Sequence, residues 1–220
     1  MTIGERYSGI IDAACEVFAR RGYHVATIRE IARAARLSLA GLYHYVGGKD
    51  ELLFLVLDRG LTTLLRNLDE TLAAARTPEA RLLALIQTHL EFGFTHTAAL
   101  RVINRDWDLL PRPRHAEIAA KRRLYIERGL QVLAALDPHH RSGDELYSAT
   151  NLLLGMLNGI AAGPFVRSLE DARALAAQVG GLFLYGFLER TTDPGDVAVV
   201  TAVRAAGRRG AGALPSEASL

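Results

Sequence analysis

The chain has 220 residues, half of them apolar, and a formal net charge of +2. That length can bury one or two proper cores without disulfide stapling, and so small a net charge excludes a uniformly polyanion-binding molecule; any nucleic-acid surface has to be local. Cys15 is the only cysteine and forms no intrachain bridge, and there is neither a basic-then-apolar leader nor an uninterrupted run of about 18 apolar residues, so the expected location is the cytoplasm, with no membrane partner.

Thr2 and Glu5 have capping-box spacing, and Tyr7, Ile11, Ala14 and Phe18 recur at intervals of three and four; the pattern predicts a first helix that ends at Gly22. Cys15 lies in its apolar stripe, as a small buried hydrophobe would. A second box, Thr27 and Glu30, opens a short helix carrying Ile28, Ile31 and Ala32. It gives way around Ala35 to Leu37, and Ser38 caps a third helix, expected to be roughly two turns long before Gly47 and Gly48. Asp50 and Glu51 then place negative charge in the first turn of a fourth helix, where the helix dipole favours it.

Two helices joined by a short turn, the second led by small residues, make a helix-turn-helix pattern. Ala40 and Gly41 let a backbone approach base edges in a major groove about 12 Å wide, while Leu42 and Val46 are expected to lock the helix onto Ile31 and the first helix. Tyr43, His44 and Tyr45 are consecutive, and consecutive helical side chains diverge by roughly 100°, so at least one ring faces outward, towards groove or backbone. Lys occurs only at positions 49 and 121 in an arginine-rich chain; Lys49 stands at the start of the fourth helix, where an ammonium and free backbone N–H groups form an anion site.

The fourth helix is expected to run to about Ala75, and Thr77 with Pro78 restarts the next, which carries Leu83, Ile86, Leu90 and Phe94 on one stripe. A shorter helix follows through Leu100 to Leu110, closed by PRPR, and another from about His115 to Leu136. Ser142 with Glu145 and Ser168 with Asp171 open the last two, ending near Gly163 and Leu188. From Arg190 an Ala/Gly/Arg-rich tail lacks a sustained stripe and is expected to be disordered. In the last two helices, Ser148, Leu152, Gly155, Gly159 and Ala162, then Ala172, Ala176, Val179, Phe183 and Gly186, form small-residue seams. Glycine inside a helix costs about 1 kcal/mol relative to alanine, so such seams imply close helix approach, within the chain or between copies. No phosphate-cradling loop, HExxH, cysteine cluster or nucleophile elbow appears, and His89 and His96 stand about 10 Å apart along a helix, too far to share a metal. Catalysis, cofactor and metal are therefore not expected.

The stretch ATIREIARAARLSLAGLYHYVGGKDELL, inside a match from residue 4 to about 57, resembles the DNA-binding signature of TetR-type (tetracycline-repressor-like) transcriptional regulators, with Thr27, Ile31, Ala32, Ser38, Leu42, Tyr43 and Lys49 in its spacing. Gly41 stands where Thr is common, which removes a hydroxyl contact, and Val46 where Phe is common, which changes a packing residue. Carried over by position, the resemblance implies that Thr27, Tyr43 and Lys49 hold phosphates, and that Arg29, Leu39, Ala40, Gly41 and His44 face bases or the groove beside the cap Ser38. Each has a second reading, as a helix cap, an interhelical packing residue or a solvated surface group. The resemblance also implies that the last two helices build a four-helix dimer interface, here Leu152, Gly155, Gly159, Ala176, Val179 and Phe183. An effector would lie among the middle helices near Arg101, Trp107, Arg122, Tyr125 and Asn158.

The order NRDWDLLPRP, EIAAKRRLYIERGL, LLLGMLNGI further resembles regulators of lipid or steroid catabolism that sense acyl-CoA thioesters. The resulting expectation is an all-α chain of about nine helices: a helix-turn-helix head over 1–50, an effector-binding and dimerisation core over 51–189, and a tail over 190–220. Its partners would be a double-stranded DNA operator of palindromic form, a small hydrophobic effector that releases a repressor, and a second copy of the chain. The alternatives are a helical dimeric interaction module without DNA binding, a multidrug-type sensor, and an α-helical enzyme using the core pocket.

Overall fold

Helix α1 (Ile3–Arg21) opens on a complete capping box: Glu5 N–H donates to Thr2 Oγ1 at 3.2 Å, and Thr2 N–H donates to the Glu5 carboxylate at 2.7 Å. The same reciprocal pair opens α2 (Ile28–Ala34) at Thr27 and α8 (Gly143–Ala162) at Ser142. The structure, a computed structural model, describes residues 2–137 and 141–188, so the expected tail over 190–220 lies outside the described residues. Among the described residues the chain is all-α, and the remaining helices are α3 (Leu39–Tyr43), α4 (Lys49–Ala74), α5 (Pro78–Thr95), α6 (Thr97–Arg105), α7 (Arg114–Leu136) and α9 (Leu169–Leu188), with one 3-10 turn at Trp107–Leu109. Helix α3 is shorter than expected because Tyr45 N–H turns back to Leu42 O at 2.9 Å, tightening the chain ahead of Gly47 and Gly48.

Met1–Gly181 form one compact unit; Leu182–Leu220 form a second, described only as the end of α9. The boundary expected between residues 50 and 51 falls inside the first turn of α4, and α1 packs on both α4 and α6, so the head runs on into the core. Helix α4 is the spine. Leu53, Leu57, Leu61, Leu64 and Leu68 are buried along it, facing α1, α5, α6 and α7, and each fully buried leucine contributes about 1.5–3 kcal/mol.

Two helix faces differ from expectation. Helix α5 packs against α4, α7 and α8, and the face they share takes in Leu82, Leu85 and His89, while Leu83 stays 38% exposed and Phe94 is half-buried. Ala176 and Val179 of α9 are buried within the chain, at 3% and 4% exposure, and so are corrected from dimer-interface residues to core residues. Close helix crossing does rely on glycine, at other positions: a methyl on Gly60 would lie 2.9 Å from Ile103 Cδ1, and one on Gly93 2.6 Å from Ala161 Cβ. Nothing lies within 4 Å of a methyl placed on Gly155 or Gly159.

Candidate nucleic-acid interface and core cavity

Ile31, Leu42 and Val46 are buried at 0%, 0% and 3% exposure and hold α3 in place, which leaves Ala40, Tyr43 and His44 outward. Tyr43 is 50% exposed; Tyr45 and Leu39 are half-buried. Ser38 Oγ accepts Gly41 N–H at 3.0 Å, and a methyl on Gly41 would sit 3.1 Å from that oxygen, so a side chain at this position would crowd the cap. The Thr27 hydroxyl is committed to its own helix: it accepts Glu30 N–H at 3.2 Å and donates to the Glu30 carboxylate at 3.0 Å, so a phosphate has to take that proton from Glu30. Hydrogen bonds from the Thr27 backbone and hydroxyl, with Arg21 adding to them at 3.0 Å, hold the Glu30 carboxyl below the usual carboxylate range.

Lys49 has a structural role that the sequence did not show. Its ammonium donates to the carbonyls of Tyr23, Ala26 and His24 at 2.9, 3.1 and 3.4 Å and lies 4.4 Å from the centre of the Tyr23 ring. With three loop carbonyls within reach of its N–H groups, Lys49 clamps the loop between α1 and α2, and a phosphate has to take a proton from one of them. Sequence reasoning left out Arg33 and Arg36. Both are exposed and, like Arg29, make no ion pair among the described residues; the general abundance of arginine masked them. Arg36 also holds the turn into α3 with a left-handed φ of 56°.

In the core, a cavity of about 240 Å³ is walled by leucines and isoleucines of α4, α6, α7 and α8 together with a few polar groups. Arg122 donates to Ile103 O at 3.1 Å, its guanidinium stands 4.5 Å from the centre of the Trp107 ring, and it has no ion-pair partner among the described residues. Burial holds its pKa below the ordinary arginine value, opposed by the Asp108 charge. Asn104 Nδ2 donates to Asn158 Oδ1 at 2.8 Å, and Tyr125 Oη lies 2.8 Å from His89 Nδ1. Of the expected effector residues, Arg122, Tyr125 and Asn158 line this cavity. Trp107 stands behind Arg122, and exposed Arg101 lines a second cavity of about 330 Å³ that shares Leu100, Asn104 and Asn158 with the first. His89 and Asn104 were missed, His89 because only its spacing to His96 was weighed.

The outer face of α8 carries Leu152 at 73% exposure and Met156 at 38%, with Gly155 and Gly159 also open. Phe183 is half-buried. At the end of α6, Arg105 Nη2 donates to Phe18 O at 2.6 Å, in the last turn of α1, while Nε and Nη2 fork onto the Asp106 carboxylate at 2.9 and 2.8 Å.

A head with these elements above a helical core has known counterparts. Residues 10–56 match bacterial regulatory proteins of the tetR family, and residues 75–162 match a tetracyclin repressor-like C-terminal domain. The chain belongs to the tetR family, a family of DNA-binding transcriptional regulators. The HTH-type transcriptional regulator HbdR of Aromatoleum sp. (strain CIB) is 38% identical over 80 residues, which is 36% of this chain and 35% of that protein, so the match spans about a third of that relative's length. A TetR-family transcriptional regulator from Bordetella parapertussis 12822 has a similar structure, with a TM-score of 0.75 and 28% identity over 85% of this chain and 98% of its own. AibR, solved in complex with isovaleryl coenzyme A and operator DNA, gives a TM-score of 0.70 and 25% identity over 81% of this chain and 98% of its own. Among the described residues no cluster suits a metal ion, and no helix is long and apolar enough to cross a membrane.

Proposed function

We propose that this tetR-family chain is a repressor that binds a palindromic operator as a homodimer and leaves it when an acyl-CoA thioester enters the core. The observation that carries the DNA reading is the exposed surface of the head, where Tyr43 and His44 face outward and Arg29, Arg33 and Arg36 are exposed without an ion pair among the described residues. A two-turn reading element makes few base contacts, so a specific site needs two heads, and the open face of α8 at Leu152, Gly155 and Gly159 offers a place for a second copy.

The cavity supports an effector with a small acyl group. At about 240 Å³ it is smaller than the roughly 300–1,000 Å³ of pockets that take a drug-sized molecule, so it suits the acyl group of a thioester and not the coenzyme. The coenzyme would continue past Asn104 and Asn158 into the second cavity, beside Arg101 and Arg105. Similarity to AibR supports this class. The test begins with binding to the DNA upstream of the chain's own gene, followed by titration of that complex with acyl-CoAs, free fatty acids and planar hydrophobic drugs. Release by acyl-CoAs is expected; release by drugs alone leaves a multidrug-type sensor, and no specific DNA binding leaves a helical interaction module.

A further inference from the structure

His89 stands in the wall of the core cavity with one ring nitrogen paired and the other not. Nδ1 lies 2.8 Å from Tyr125 Oη, whereas Nε2 is buried and has no hydrogen-bond partner. Leaving a buried polar group unpaired costs about 1–3 kcal/mol, so a cavity occupant that reaches Nε2 gains by supplying the partner. The tautomer follows from counting protons. Tyr125 is buried, its hydroxyl has one proton, and His89 Nδ1 is its one hydrogen-bond partner among the described residues. A proton on Nδ1 would strand both the phenol proton and the Nε2 lone pair; donation from Tyr125 to Nδ1 leaves only Nε2–H unmatched. Burial raises the phenol pKa above its usual value and pulls the imidazole down to about 4, so both stay neutral at pH 7. Asn158 is the nearest polar side chain: its Oδ1 accepts from Asn104 at 2.8 Å and keeps a second lone pair, and its interaction with the ring raises the imidazole pKa a little against burial, but no hydrogen bond of ordinary geometry joins it to Nε2.

We propose that His89 Nε2–H is the donor that selects the ligand of this cavity, so that the effector buries an uncharged carbonyl oxygen against it and packs an apolar group around it. A thioester, ester, amide or ketone meets the requirement, and a plain hydrocarbon chain does not. The inference rests on the cavity being the effector site, and it holds apart from the coenzyme.

Two matched pairs of probes test it. Isovaleryl-CoA is compared by calorimetry with its thioether analogue S-isopentyl-CoA, which lacks only the carbonyl oxygen. The thioester is expected to bind roughly three- to tenfold more tightly. That preference should vanish in His89→Phe/Tyr125→Phe, which removes both partners of the buried pair and so leaves no orphan. Equal affinities in the unaltered protein overturn the proposal and leave the acyl-CoA reading intact. If neither compound binds, the acyl-CoA reading fails, and 4-methyl-2-pentanone against 2-methylpentane decides the inference. In ¹⁵N-histidine spectra of the unaltered protein, the ketone should move the His89 Nε2 resonance and the alkane should not. A His89 protonated on Nδ1, or unmoved by the ketone, overturns it; these spectra need no variant to fold.

Discussion

A neutral imidazole buried between Tyr125 and a cavity makes this fold sensitive to mild acid. His89 is 2% exposed, and burial brings its pKa to about 4 from an ordinary value of 6.5. The unfolded chain therefore takes up a proton near pH 6.5 that the folded chain refuses until about pH 4, so the stability is fully present above 6.5 and is lost as pH falls through that window. Between pH 7 and 5 this one group should remove about 2 kcal/mol, read as a lower urea midpoint. The double variant His89→Phe/Tyr125→Phe should lose that part of the pH dependence, and an unchanged profile would show that the ring protonates freely in the folded state. Lys49 gives a second prediction. Because its ammonium holds three loop carbonyls, Lys49→Ala should lower stability by about 1–2 kcal/mol while leaving the salt dependence of operator binding unaltered. A log–log slope shallower by about one per head would instead put Lys49 on a phosphate. The sequence showed Lys49 as worth noticing but not its use, since the carbonyls it binds belong to a loop more than twenty residues away.

At the level of elements, what can be seen in a sequence is what acts locally. Thr2 with Glu5, Thr27 with Glu30 and Ser142 with Glu145 start their helices where their spacing says, because each cap is satisfied within one turn. The rotation of a helix about its axis is set by neighbours. Helix α5 turns His89 inward and leaves Leu83 38% exposed because α4, α7 and α8 surround it, and no periodicity within α5 records where those helices lie. The same limit separates the two small-residue seams: Ala176 and Val179 are buried in their own chain, whereas Gly155 and Gly159 meet nothing within 4 Å. Gly159→Leu should therefore leave the folded chain unharmed, and the better helix propensity of leucine favours it by up to about 1 kcal/mol. If α8 pairs with a second copy through this face, the same change should weaken the dimer by about 1–3 kcal/mol of overpacking, seen by sedimentation. A dimer of undiminished affinity would remove Gly159 from the interface.

Across the whole molecule, helices α4 and α6 both line the cavity and pack on α1, and α6 does so through a charged side chain. Leu100, Ile103 and Asn104 line the cavity, and the next residue, Arg105, holds the Phe18 carbonyl in the last turn of α1 while Asp106, 2% exposed, fixes its fork. That the partner of Arg105 would be a carbonyl 87 positions away is a property of the fold and not of the local sequence. A ligand changes operator affinity only to the extent that it binds the DNA-competent and DNA-incompetent forms differently, so the α6 to α1 contact should carry much of that difference. Cutting Arg105 alone would strand a buried carboxylate and destabilise the chain by several kcal/mol, which would hide the effect. Arg105→Met/Asp106→Leu removes both charges and keeps the volume, so the fold should survive with stability close to that of the unaltered protein. With the grip on α1 gone, the variant should bind operator with near-normal affinity, while the compound that releases the unaltered protein should release it severalfold less effectively. The measurement is the ratio of operator Kd with and without that compound, taken for both proteins. An unchanged ratio would mean that the signal reaches the heads by another route, through the α4 packing against α1 or through the dimer.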